Sequence, residues 1–104
     1  MSIKARWLTG PARQRTRFGE TPTFREGLYA LGSHSHAWMV PNGSWGETNT
    51  GLVVCGKQTV LIDTCWDVRT TQAMLDGAAD LLRDAPIEHV INSHADGDHW
   101  WGNQ

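Results

Sequence analysis

Four side chains able to ligate a metal fall within six consecutive positions near the end of the 104-residue sequence: His94, Asp96, Asp98 and His99. Imidazole and carboxylate are the donors that borderline divalent cations such as zinc accept. In an extended segment residues i and i+2 point the same way, so His94 and Asp96 are placed to reach one ion together. Asp98 and His99 are adjacent and their side chains diverge. At least one of them therefore serves a second ion, or the reaction itself. Ala95 and Gly97 are small spacers that let the backbone bend around a centre. Two other readings stay open at this point. The Asp96-Gly97-Asp98 core resembles part of a calcium loop, although the register of Asp, Asn and terminal Glu that such a loop needs is absent. A surface turn with solvated carboxylates is the plain alternative for so short a motif.

The elements that must position this loop are partly readable. Thr50–Cys55 and Gln58–Asp63 are β-rich runs joined by Gly56-Lys57, which fits a two-residue hairpin turn with glycine first. Both runs are nearly all apolar in the middle, so burial on both faces is expected. Asp67 is placed to cap a helix running to about Arg83, with Met74, Leu75, Ala78, Leu81 and Leu82 on one apolar face. Pro86 closes it. Ile87–Asn92 reads as another strand, and the metal loop follows it directly. Hairpin, helix and strand make a β-β-α-β unit of the α/β class. Ligand sites in such sheets favour the carboxyl ends of strands.

Upstream, Gly27–Leu31 is a short strand candidate. Gly32 to about Glu47 reads as one long loop carrying His34, His36, Trp38, Asn42-Gly43 and Trp45. His34 and His36 have the spacing of a ligand pair, with loop histidines as the plainer reading. Trp38 and Trp45 are candidates for an apolar wall over a site, or for ordinary packing. Residues 1–23 read as a solvated basic arm: Lys4, Arg6, Arg13, Arg15, Arg17 and Arg25 are six of the nine basic residues, and only Glu20 is acidic before Arg25.

Composition sets outer bounds. Hydrophobic residues make 39% and charged residues 19%, ordinary for a globular domain, and the net charge of -2 gives no bulk field for nucleic acid. No apolar run approaches the roughly 20 residues that span a bilayer. Cys55 and Cys65 are read as small buried thiols, which fits a cytoplasmic setting.

Three stretches in order carry a resemblance: Glu47-Thr48-Asn49-Thr50-Gly51-Leu52-Val53-Val54, then Val60-Leu61-Ile62-Asp63-Thr64, then Val90-Ile91-Asn92-Ser93-His94-Ala95-Asp96-Gly97-Asp98-His99. Together they resemble the opening of the metallo-β-lactamase superfamily, whose signature is H-x-H-x-D-H after a strand. The resemblance covers about residues 24–104. It implies the N-terminal half of an αβ/βα sandwich with a metal site at one sheet edge. A complete domain of that kind is about twice this length, so residues 24–104 are expected to be incomplete and inactive alone. The resemblance makes His94 a ligand of a first metal and His99 a ligand of a second. It makes Asp98 a second-metal ligand or a catalytic proton acceptor beside the attacking water, and Asp63 a residue that braces the loop. Asp96 stands where the family has its second histidine. If it ligates, the added anion lowers Lewis acidity and favours harder ions.

The implied activity is a metal-dependent hydrolase, in which metal-activated water attacks an ester, amide, phosphoryl or sulfuryl bond of a small-molecule substrate. The implied cofactor is one or two zinc ions, with manganese or iron as alternatives. An iron-dependent redox enzyme of the same fold is the second reading. A non-catalytic remnant that binds a partner or oligomerises, or that pairs with a missing C-terminal half, is the third. Neither a nucleic-acid nor a membrane partner is expected.

Overall fold

The computed structural model describes residues 5–11, 14–16, 19–41, 49–65, 67–94 and 102–103. Six strands form one mixed sheet in sequence order: β1 (Arg6–Thr9), β2 (Gly27–Ala30), β3 (Ser35–Met39), β4 (Thr50–Cys55), β5 (Gln58–Ile62) and β6 (Ile87–Ile91). Pairing is antiparallel from β1 to β5, and β6 runs parallel to β5. A parallel pair needs a crossover, which α1 (Val68–Gly77) and α2 (Ala79–Asp84) supply. The expected α/β pattern is therefore present at the level of a mixed sheet with two helices.

The β4–β5 hairpin turns at Gly56, whose φ of 64° is left-handed. A glycine first in a two-residue turn meets that requirement without a Cβ penalty. Asp67 caps α1 as expected, its Oδ1 accepting the Thr70 N–H at 2.6 Å. The single expected helix is instead two, broken at Ala78 (φ -95°, ψ 10°) directly after Gly77. Its apolar face survives the break, since Met74 and Ala78 are buried and Leu75, Leu81 and Leu82 pack on the same core.

That core lies on one side of the sheet. Leu28, Trp38, Leu52 and Leu61 rise from neighbouring strands to meet Cys65, Met74 and Ala78. Cross-strand pairing sets them on one face: Leu28 opposite Trp38, and Leu52 opposite Leu61. The opposite face carries Val53, Val60, Ile62 and Ile91, which range from half-buried to exposed. Burial of β4 and β5 on both faces is thus corrected. The helices pack on one face, and the residues of the other are half-buried to exposed.

Three further expectations change. The long loop after β2 contains β3, which pairs with both β2 and β4. Paired on both edges and anchored by Trp38, which is 2% exposed, the segment gains ladder bonds and apolar burial despite its Ser and His content. Trp38 is consequently a core residue. The basic arm gives way at Arg6–Thr9 to β1, where Trp7 donates to the Glu26 carbonyl at 3.1 Å and the Arg25 guanidinium stacks 3.6 Å over its ring. Cys65 is buried as expected, but Cys55 ends β4 on the exposed side. No helix among the described residues is long and apolar enough to cross a membrane.

Met74 is fully buried at the centre of this one-sided core, whereas Val68 is half exposed on the same helix. Met74→Ala is expected to cost about 2–5 kcal/mol by cavity formation. Val68→Ala is expected to stay within about 1 kcal/mol. Chemical denaturation of both variants measures the difference.

Candidate metal centre

The site is built outward from the end of β5. Asp63 is 6% exposed and takes a left-handed φ of 63°, a conformation that Asp tolerates better than most residues. Its N–H donates to the Ile91 carbonyl at 2.7 Å, tying the ends of β5 and β6 together. Its carboxylate then takes two bonds from one residue: the Ser93 N–H reaches Oδ1 at 2.6 Å, and the Ser93 hydroxyl reaches Oδ2 at 2.7 Å. A buried carboxylate is tolerated when its oxygens are satisfied in this way. Ser93 in turn lies 2.8 Å, Oγ to Nδ1, from the ring of His94. The bracing role implied for Asp63 thus has a direct geometry, acting on the residue before the first candidate ligand.

The neighbouring Thr64 holds the far side. It is 1% exposed, and its Oγ1 accepts the Gly102 N–H at 3.0 Å while donating to the Cys65 carbonyl at 3.2 Å. Asn92 and Asn103 close the gap with a reciprocal pair of amide bonds at 2.9 and 3.3 Å. Two consecutive residues after β5 therefore grip Ser93 and Gly102, the two ends of the segment that carries the donors. A Cβ at Gly102 would sit 2.0 Å from Thr71 Oγ1 and 3.1 Å from Thr64 Cβ. Only a glycine fits that approach to α1.

Of the candidate ligands, His94 is described and is exposed at the loop's start. Asp96, Asp98 and His99 lie outside the described residues, as do Trp45, Trp100 and Trp101. Among the described residues no group of three or more His, Cys, Asp or Glu side chains gathers. His34 lies in the exposed turn before β3, and His36 is a strand residue with no third ligand beside it. His89 is exposed on β6. The residues that sequence reasoning missed are Ser93, Thr64, Asn92, Asn103 and Gly102. Ser93 and Thr64 each sit directly beside a residue that was singled out, and the pairing of two strand ends is what gives them their function.

Residues 43–104, more than half of the chain, match the sequence profile of the metallo-beta-lactamase superfamily. The chain belongs to that superfamily. Its members are mostly hydrolases and generally bind divalent metals. None of the curated proteins matches the chain. The donor chemistry here fits a divalent cation. An imidazole fixed through one nitrogen presents the other for ligation, and two carboxylates and a second imidazole follow within five residues of His94.

Gly102→Ala is expected to lower stability by about 1–3 kcal/mol, because Thr71 on α1 must move to admit the methyl group. Gly32→Ala, with open space at its Cβ, is the matched control and is expected to be near neutral. Thermal melts of the two variants test the clasp. A second expectation concerns His36, whose Nδ1 is enclosed and has no hydrogen-bond partner among the described residues. Burial lowers its pKa below 6.5. The unfolded chain takes up that proton first, so the contribution to stability is present above the unfolded pKa and is lost as pH falls below it. His36→Gln should flatten the loss of stability between about pH 7 and pH 5, measured as the wild-type-minus-variant difference in denaturation midpoint.

Proposed function

We propose that this chain carries the first ligand loop of a metal-dependent hydrolase acting on a small-molecule ester, amide, phosphoryl or sulfuryl substrate. The observation that carries the reading is the clasp: Asp63 and Thr64 hold both ends of a segment with four N and O donors in six residues, in a chain of this superfamily. A solvated surface turn has no need for a buried carboxylate and a buried threonine to pin its two ends.

In this reading His94, Asp96, Asp98 and His99 hold one or two divalent cations, with zinc or manganese as the ions that suit the mixed donor set. When bound, such an ion supplies Lewis acidity and lowers the pKa of a coordinated water. The chain's own residues supply the rest. Asp98 accepts a proton from the attacking water and keeps it oriented. Asp63 and Ser93 hold His94 in place. Asp96, an anion where the family has an imidazole, biases the site toward harder ions. The apolar face of Val53, Val60, Ile62 and Ile91, half-buried to exposed, supports the finer fold reading, residues 24–104 as one half of an αβ/βα sandwich, because that architecture lays a second layer there.

Calorimetric titration of zinc(II) and manganese(II) into the chelator-stripped chain tests the proposal. Binding is expected in the wild type and about tenfold or more weaker in His94→Ala and in Asp98→Asn. Equal affinity of the wild type and a His94→Ala/His99→Ala double variant would sink it. A panel of ester, amide, phosphate and sulfate substrates, run with and without added metal on a form in which a second layer covers the open sheet face, then identifies the bond class.

A further inference from the structure

We propose that Ser93 is a positioning residue whose hydroxyl, itself held by Asp63, fixes His94 in the tautomer that carries its proton on Nδ1. Nε2 is then the nitrogen this histidine offers a cation, and that last step rests on the metal reading above.

The argument is a proton count. Ser93 has one hydroxyl proton and two nearby acceptors to choose between. Asp63 Oδ2 lies 2.7 Å away, and the same carboxylate also takes the Ser93 N–H at 2.6 Å. A carboxylate receiving two donors is held in its charged form, has no proton to give, and is the stronger acceptor. The hydroxyl proton therefore points to Asp63. The remaining contact, 2.8 Å between Ser93 Oγ and His94 Nδ1, is a hydrogen bond only if Nδ1 donates. The other tautomer would set two lone pairs against each other at that distance, or turn the hydroxyl away from a buried carboxylate oxygen. A neutral imidazole with its proton on Nδ1 has its lone pair on Nε2.

His94 is exposed, and the Ser93 hydroxyl stands 2.8 Å from its Nδ1. Direct carboxylate–histidine pairs are a familiar way to orient a ligand ring and raise its basicity. Here one hydroxyl is inserted between the two. That inserted hydroxyl also anchors the backbone, because its own N–H shares the carboxylate. One side chain thereby sets both the start of the loop and the protonation pattern of its first donor.

The test uses the full chain, metal-free and 15N-labelled at histidine, at about pH 8, where imidazole is neutral. Long-range proton–nitrogen correlation spectra distinguish the two tautomers, and His94→Gln assigns the signals. The wild type is expected to show the Nδ1–H pattern. Ser93→Ala is expected to lose it, and Ser93→Thr, which keeps the hydroxyl, to restore it. Zinc(II) affinity should fall about tenfold in Ser93→Ala and return in Ser93→Thr. An Nε2–H pattern in the wild type, or an unchanged pattern in Ser93→Ala, overturns the proposal. Should Ser93→Ala fail to fold, the wild-type spectrum still decides. A fixed Nδ1–H tautomer in a chain that binds no zinc upholds Ser93's role and overturns only the metal reading.

Discussion

A carboxylate buried at the end of β5 is the constraint from which the rest follows. Removing a charged group from water is costly, and Asp63 is nearly inaccessible. Its position is stabilised where Ser93 brings both an N–H and an O–H to it and its own N–H meets the Ile91 carbonyl. Those bonds exist only if β6 lies beside β5 in the observed parallel register, Ile62 opposite Ile91. The residue thus works in two directions. It reports that the crossover has been completed, and it converts that completion into a fixed starting point for the segment after β6. A replacement without the carboxylate would leave the Ser93 donors unpaired, and a β-branched one would resist the left-handed backbone at this position.

The crossover that delivers β6 is held by a core with one side. Trp38, Leu52, Leu61, Met74 and Ala78 interlock between the sheet and the two helices. Thr59 adds a polar fastening, its hydroxyl donating to the Ala85 carbonyl at 2.7 Å and its N–H to the Pro86 carbonyl at 2.8 Å. These bonds fix where α2 ends and β6 begins. The register shifts once between Thr59 and Val60, and from there Ile91 arrives opposite Ile62, which brings Asn92 and Ser93 to their partners. The start of the segment after β6 is therefore positioned in part by contacts well removed from it, at the carboxyl end of the parallel pair.

Much of this was legible in the sequence. Gly56-Lys57 announced the hairpin, Asp67 the start of α1, and the Met74–Leu82 periodicity the buried helix face. Residues whose role is local were readable because turn and cap chemistry depend on a few neighbouring positions. The failures have physical reasons too. β3 hides behind Ser, His and Gly, and its stability comes from two flanking strands rather than from its own propensity. β1 depends on Trp7 finding Glu26 and Arg25 some twenty positions away. Burial on both faces was inferred from apolar runs, yet those runs record what a residue tolerates, not what covers it. In the loop, His94 and Asp63 were visible as residue types, whereas Ser93, Thr64 and Gly102 become significant only when the ends of two strands meet.

The division of labour around the loop bears on what kind of site it is. His94 is exposed, and the Asp63–Ser93 bonds reach its ring at Nδ1. Gly102 is buried against Thr71, and its N–H is held by the Thr64 hydroxyl. Polar fastening at Ser93 and at Gly102 sets where the segment starts and ends. It also explains why the positioning residues here are Asp, Ser, Thr and Asn, which hold by directed hydrogen bonds, and why the bulky apolar residues lie one layer below, in the core that fixes the strands.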